Sequence, residues 1–535
     1  MRSASNSKEF SLRRIMAVGL LLIVLVPAGV MAAGADDPFT IVLLGDTQNY
    51  STSTAATYWP TRYNDVLGWV GNNVATQNIA FVSSVGDVTQ ATSPSLNAEW
   101  TRVQTAFDKL HVGGNRNNAA LVPYSVAVGN HDFDSHKWLA ADGFVPGTST
   151  ANMYYGYTYW TNYFGPSRYT GKSWYGSDVG WVSTYASNVP GAPDLVRTGI
   201  GLNSYQVFQA GGENYLHIAL SCGAPDGDLA WAQSVISAHP GLKTIVTTHS
   251  LSTGGAIGGF SDRIRACRYW AEHNPTGTWN KTTGEGDRYQ IPGNGGIDIW
   301  NEFIKSNDQI FMALCGHTGG RATRVETNDY GHNVIIMLFD PITRRLSTDG
   351  DGSNTYVNGA GWLRLIQVDP DTGLIRCRTY SPVLDEYADN VGGALWGDPV
   401  LHPNAYMANC YDVDGNLTKP DQLSDFFITP AGAIIPCNPG DFDGDGDVDG
   451  NDFLKWQNGY PTGAGGAMVF DGDADGDGDV DGNDFLVWQN NYPSAWPPAG
   501  LGLADAQSVT VPEPATLALL TLGGLSLVAR RRRRR

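Results

Sequence analysis

Residues 39–46 read FTIVLLGD, and the same kind of run returns as IAFVSSVGD at 79–87 and VPYSVAVGN at 122–130. Three more follow: YLHIALSCG at 215–223, KTIVTTHS at 243–250 and QIFMALCGH at 309–317. Each is short, apolar and β-branched, and each stops at Gly, Asp, Asn, Ser or His. A continuous apolar run of this length, bounded by turn residues, reads as a strand buried on both faces. The segments 63–76, 96–110 and 229–238 carry helical spacing between such runs. Strand–helix alternation of this kind predicts an α/β layered fold, with polar side chains gathered along one rim at the carboxyl ends of the strands. A later pair, GWLRLIQVDP at 361–370 and LIRCRTYSP at 374–382, reads as a hairpin that closes the domain near Tyr387.

The residues offered by those strand ends are, in order, Asp46 and Gln48 (GDTQ), Asp87 (GDVTQ), Asn130, His131 and Asp132 (GNHD), His249 (TTHS) and His317 (GHTGG). A Gly-Asp pair after a strand is by itself only a turn. Five such pieces at successive strand ends are a mixed set of carboxylate, amide and imidazole donors, the set a pair of divalent metals requires. Two metals about 3.5–4 Å apart can activate water and neutralise charge at phosphorus in phosphate-ester hydrolysis. His217, in the middle of an apolar run, reads instead as a core residue.

In this order the motifs resemble the calcineurin-like metallophosphoesterases over roughly residues 39–387, and the wording GDTQNY, GNHD, TTHS and GWLRL is similar to a secreted bacterial branch of them. The resemblance implies a four-layer β-sandwich flanked by helices and two divalent transition metals (iron, manganese or zinc). It implies that Asp87 bridges them, that Asn130, His249 and His317 complete one position, and that Asp46 and residue 48 belong to the other. His131 would stand beside the phosphate and assist the leaving oxygen, oriented by Asp132, while a metal-held hydroxide attacks phosphorus in line. Two positions depart from the pattern: Gln48 stands where the family has His, and Gly319 where GHxH would supply a second His. Water, a backbone carbonyl or another side chain, with His332 a remote candidate, would have to fill that gap. Two functions follow: a secreted hydrolase of phosphate mono- or diesters, or a surface-attached binding or matrix protein whose catalysis Gly319 has weakened.

At 535 residues the chain is long enough for several units. Arg13 and Arg14 before an apolar run at 15–26, then small residues to Ala35, read as a signal peptide over 1–35. The phosphoesterase unit is expected over 36–387 and an irregular linker over 388–437. An insert at 153–175, dense in Tyr and Trp, either lines a cleft in which Arg168 or Lys172 meets phosphate or packs on itself as a cap. Of the six cysteines, Cys410 and Cys437 are the first pair expected to join. The net charge is −19, yet thirteen aspartates against one lysine lie between 441 and 484. That concentration points to bound cations, and no basic face for nucleic acid is evident.

Those aspartates fall in two copies of one pattern, DFDGDGDVDGNDFLKWQNGYP from Asp441 and DADGDGDVDGNDFLVWQNNYP from Asp473. Calcium loops place oxygen ligands at positions 1, 3, 5, 7, 9 and 12 with Gly at 6. Asp441, Asp443, Asp445, Asp447, Asp449 and Asp452 fit that spacing, as do Asp473, Asp475, Asp477, Asp479, Asp481 and Asp484, each with an apolar helix behind it. The pair resembles type I dockerin modules, which implies a small all-α unit over 438–495 with two calcium ions and a possible cohesin-like partner. After a linker at 496–510, Pro512–Glu513–Pro514, an apolar run to Ala529 and six arginines resemble PEP-CTERM sorting signals. These imply exosortase-type processing, transient membrane association of 511–535, and delivery to the cell surface, matrix or periplasm.

Overall fold

The computed structural model describes residues 37–51, 61–90, 96–132, 158–185, 195–253, 259–260, 294–318, 320–340, 361–383, 385–388, 423–463 and 466–492. The segment 1–35 read as a signal peptide, Gly319 and the tail beyond 492 lie outside them. The six apolar runs form strands, which sort into two large sheets.

The first sheet runs Ile434–Pro436, Asp425–Ile428, Ile375–Ser381, Leu363–Val368, Phe39–Leu44, Ile79–Ser84, Tyr124–Val126. The last three are parallel, and the others join antiparallel. The second runs Gly320–Thr327, Asn333–Asp340, Ile310–Cys315, Lys243–Thr248, Glu213–Leu220, Ser204–Ala210, Tyr175–Ser177. From Asn333–Asp340 to Glu213–Leu220 its four central strands are parallel.

Strand geometry alternates side chains between faces, and here both faces are covered. Phe39, Ile41 and Leu43 point inward against Tyr215, Ile245, Met312 and Phe339 of the second sheet. Val42 and Leu44 point outward onto Leu67 and Val70 of the helix Arg62–Asn72 and Trp100 and Val103 of Leu96–Phe107. On the far side, Leu216, Ile218, Val246 and Ile336 pack beneath the helix Asp226–Ala238 and beneath Ile299 and Phe303. Helix, sheet, sheet, helix is the four-layer order expected, and double burial explains why the runs are continuously apolar. His217 is a core residue: its Nδ1 meets Gln206 Oε1 at 2.8 Å, its Nε2 meets Thr247 Oγ1 at 2.8 Å, and burial drives its pKa down to about 3.

The described part of the aromatic insert is a cap. Trp160, Phe164 and Tyr169 pack on Trp100, Phe107 and Tyr124. Arg168 is buried, with its Nη2 2.9 Å from Asp108 and its Nε donating to Tyr124 Oη at 2.7 Å, and Lys172 donates to Asn118 O at 2.6 Å.

Three expectations are corrected. Residues 425–436 are not linker, because Asp425–Ile428 and Ile434–Pro436 add two antiparallel strands to the first sheet. Cys437 carries a free thiol, so it does not pair with Cys410; the disulfide-bonded cysteine among the described residues is Cys222. His332 lies in the turn after Gly320–Thr327, exposed and paired with Asp308 at 2.6 Å, at the strand ends opposite His317.

The aspartate repeats form two short helices, Gly450–Gly459 and Gly482–Asn491, each preceded by its loop. They lean on the body of the fold: Phe442, Met468 and Phe470 pack on Leu374 and Phe427. The loops approach closely at glycines, since a Cβ on Gly444 would lie 2.6 Å from Leu374 and one on Gly476 2.7 Å from Arg378.

Candidate metal centre

Every parallel strand of both sheets except Glu213–Leu220 ends at one shared cluster of side chains. Asp46 follows Phe39–Leu44, Asp87 follows Ile79–Ser84, and Asn130 and His131 follow Tyr124–Val126. His249 follows Lys243–Thr248 and His317 follows Ile310–Cys315. Main-chain bonds lace these loops: Thr47 N donates to Asp87 O at 3.1 Å, Ala127 N to Ser84 O at 2.9 Å and Gly316 N to His249 O at 2.9 Å. The glycines of GNHD and GHTGG allow backbone to close on the carboxylates. A Cβ on Gly129 would sit 2.1 Å from Asp87 Oδ1, and one on Gly316 2.1 Å from Asp46 Oδ1. Asp87 and His317 hold left-handed backbone, with φ of 49° and 72°. Such conformations cost about 1–3 kcal/mol each and gather at functional sites.

Ligand atoms of Asp46, Asp87 and His249 all lie within 4.8 Å of one another. His249 Nε2 stands 3.3 Å from Asp87 Oδ2, 2.9 Å from Asn130 Oδ1 and 3.2 Å from His317 Nδ1. Its other nitrogen faces Val85 O at 3.0 Å, the backbone contact that fixes ring orientation in metal-ligating histidines. Carboxylate, amide oxygen and two imidazole nitrogens therefore converge on one point. Gln48 Nε2 faces Asp87 Oδ2 at 3.5 Å, and its buried Oε1 has no hydrogen-bond partner. An orphaned amide oxygen beside two carboxylates fits a cation. The sequence-derived set Asp46, Gln48, Asp87, Asn130, His249 and His317 is thus brought together.

Electrostatics agree with that fit. Burial, then the charges of Asp340 and Asp87, push the Asp46 carboxyl well above the usual carboxylate range. Burial also opposes charge on Asp87, but His249 and His131 overcome it and hold Asp87 low. Burial likewise opposes charge on His249, and the Asp87 charge with its hydrogen bond raises that imidazole nonetheless.

His131 donates its backbone N–H to Asp87 Oδ1 at 2.7 Å, and its ring Nε2 lies 3.9 Å from Asp87 Oδ2. Its side chain is 15% exposed against 2% for Asp87, so the ring, like the half-buried His317, lies on the side that an incoming molecule reaches. Asp132 does not orient that ring. Its carboxylate accepts from Val88 N at 2.8 Å, Thr89 N at 3.0 Å and Gly129 N at 2.8 Å, which ties the GDVTQ and GNHD loops together. One residue was missed in the sequence. Asp340, the last residue of Asn333–Asp340, is fully buried, and its charge bears on the carboxyl of Asp46. NVIIMLFD ends in Asp as the other runs end in polar residues, but no Gly-Asp or Gly-His pair marks it.

In the repeats, Asp452 accepts from Phe442 N and Asp449 N, both at 2.7 Å, and Asp484 does the same for Ala474 N and Asp481 N. Gly446 and Gly478, at loop position 6, have φ of 101° and 87°. Carboxylates of Asp441, Asp443 and Asp452 converge, as do those of Asp473, Asp475 and Asp484. Burial pushes Asp441 up to about 8, helped by Asp452, and Asp473 up to about 7. Between pH 4 and these values the folded chain holds protons that the unfolded chain has released, so its stability falls as pH rises. Calorimetry in chelator is expected to show a lower melting temperature at pH 8 than at pH 5, with the difference reduced in Asp441→Asn and by excess calcium. A chelated chain more stable at pH 8 would contradict this.

Among proteins of known sequence, the uncharacterized protein YvnB of Bacillus subtilis (strain 168) is 24% identical over 353 residues, 66% of this chain and 20% of its own length. The chain therefore spans about a fifth of that relative. Among solved structures, purple acid phosphatase PPD1 from yellow lupin (Lupinus luteus) seeds aligns with 66% of this chain and 53% of its own, at 12% identity and a TM-score of 0.33. A dimetal phosphatase from Danio rerio aligns with 64% and 96%, at 10% identity and a TM-score of 0.29. GAP50, the anchor in the inner membrane complex of Plasmodium, aligns with 65% and 86%, at 11% identity and a TM-score of 0.32. Likeness at this level says nothing of activity. No helix among the described residues is long and apolar enough to cross a membrane. Residues 510–534 match the PEP-CTERM protein-sorting motif, so the chain carries a sorting signal of that kind, which marks it for export.

Proposed function

We propose that the chain is an exported, metal-dependent hydrolase of phosphate esters. The observation that supports this most is the convergence of Asp87 Oδ2, Asn130 Oδ1 and His317 Nδ1 on His249 Nε2, all within 3.3 Å. Asp46, Gln48 and Asp87 would hold one metal, and Asp87, Asn130, His249 and His317 the other. When bound, the metals supply an activated water and neutralise the phosphoryl oxygens.

The remaining work falls to the protein. Asp87, whose Oδ2 faces both Gln48 and His249, is the residue suited to join the two positions. His131, on the exposed side, is placed to donate a proton to the departing alcohol. Asp132 holds the two loops that carry Asp87 and His131 in register. The sorting motif supports surface delivery after exosortase-type processing, and the two aspartate loops support binding of two calcium ions.

His131→Ala is expected to lower turnover of a chromogenic phosphodiester or monoester by about 10²–10⁴-fold, the usual contribution of a positioned acid. Metal content, measured by elemental analysis, should not change. Equal turnover in the variant would remove His131 from the reaction.

A further inference from the structure

We infer that Asp340 is a metal ligand of the first position, taking the place of the imidazole that Gly319 cannot supply. The inference rests on the phosphoesterase reading and deepens it, because it names the ligand set and hence the kind of cation.

Asn333–Asp340 runs parallel to Ile310–Cys315, with Leu338 beside Cys315, so the two strands deliver their carboxyl ends to the same rim. It also pairs antiparallel with Gly320–Thr327, and that register sets Asp340 directly across from Gly320, one residue after the position that lacks a side chain. Asp340 is fully buried, and it lies close enough to Asp46, itself 2% exposed, for the two carboxyl groups to oppose each other's charge. A cation between two such groups relieves that opposition. A separate observation points the same way: Gln48 is 5% exposed, and its Oε1, in the same pocket, has no hydrogen-bond partner.

Asp46, Gln48, Asp87 and Asp340 then form an all-oxygen set, whereas Asn130, His249 and His317 give the other position two nitrogens. Oxygen-only sites suit hard divalent cations such as manganese or magnesium, and imidazole suits iron or zinc. The structure thus assigns a hard cation to the first position and a borderline one to the second. The loss of a histidine at 319 becomes a change of metal preference, and the case for weakened catalysis loses its ground.

The test is metal content of the full chain after equilibration with manganese and desalting, in the wild type, Asp340→Asn and His249→Ala. Asp340→Asn is expected to lose one of two ions and to bind manganese at least tenfold more weakly at the first position. His249→Ala is expected to lose the other ion and keep the first. The manganese resonance spectrum of His249→Ala should then show no coupling to nitrogen. Two ions held with unchanged affinity in Asp340→Asn would overturn the assignment, as would nitrogen coupling in His249→Ala. The spectrum decides the matter even if Asp340→Asn does not fold, which calorimetry would reveal. A wild type that binds no metal would instead defeat the phosphoesterase reading itself.

Discussion

Asp87→Asn is expected to empty both metal positions and to cut turnover by more than the roughly 10–100-fold that loss of an outer partner of a metal ligand costs. The metal-free protein should also melt lower than the wild type. Asp87 is almost fully buried, stands 3.3 Å from His249 Nε2, and contributes to the raised pKa of Asp46. In the metal-free protein its charge is held by His249 and His131, an attraction that asparagine lacks. Asparagine keeps the size and an oxygen for the His131 N–H, and it tolerates the left-handed backbone better than most residues. Metal analysis and calorimetry in chelator read the two effects separately. A variant that retained two ions would show that Asp87 does not bridge, and an unchanged melting temperature in chelator would show that the histidines do not depend on its charge.

Arg364→Ala is expected to cost about 3–5 kcal/mol of stability, the range for breaking a buried charged interaction. At roughly 2–4 °C per kcal/mol for a domain of this class, that corresponds to about 6–20 °C in melting temperature. Arg364 has no exposed surface. Its guanidinium donates to Leu423 O at 3.1 Å, Thr379 Oγ1 at 3.2 Å and Thr323 Oγ1 at 3.4 Å, between the faces of Phe339 and Phe426. One side chain thereby joins the first sheet, the second sheet and the segment leading into Asp425–Ile428. Alanine leaves a cavity and unpartnered groups, whereas Arg364→Met fills the space and should recover much of the loss. Equal melting temperatures for Arg364→Ala and wild type would mean that the added strands need no such tie.

The layered fold and most of the centre were legible because both are written locally. A strand buried on two faces needs a continuous apolar run, and a rim residue follows it within two or three positions, as in Leu44 to Asp46 or Thr248 to His249. What escaped depends on pairing over long distances. Asp340 acquires its meaning from its register with Gly320 and from contact with Asp46, and neither follows from NVIIMLFD alone. DFFI and IIP are too short to announce strands, and they become part of the sheet only by pairing with Ile375–Ser381. Asp132 was given a partner by analogy with other histidine–carboxylate pairs, but three backbone N–H groups lie closer. Arg364, a charge inside an apolar run, gives no hint in the sequence of the carbonyl it serves.

The central position of Phe39–Leu44 has a consequence for when the centre can assemble. One neighbour, Ile79–Ser84, is made soon after it, but the other, Leu363–Val368, comes far later in synthesis. Asp46 and the backbone N–H of His317 that it binds are 271 residues apart. At about 5–20 residues per second, translation needs about 14–54 s to bridge that gap. Throughout that time the nascent chain holds its early carboxylates without the imidazoles opposite them. The nascent chain therefore has no complete centre until the segment that carries His317 has been made.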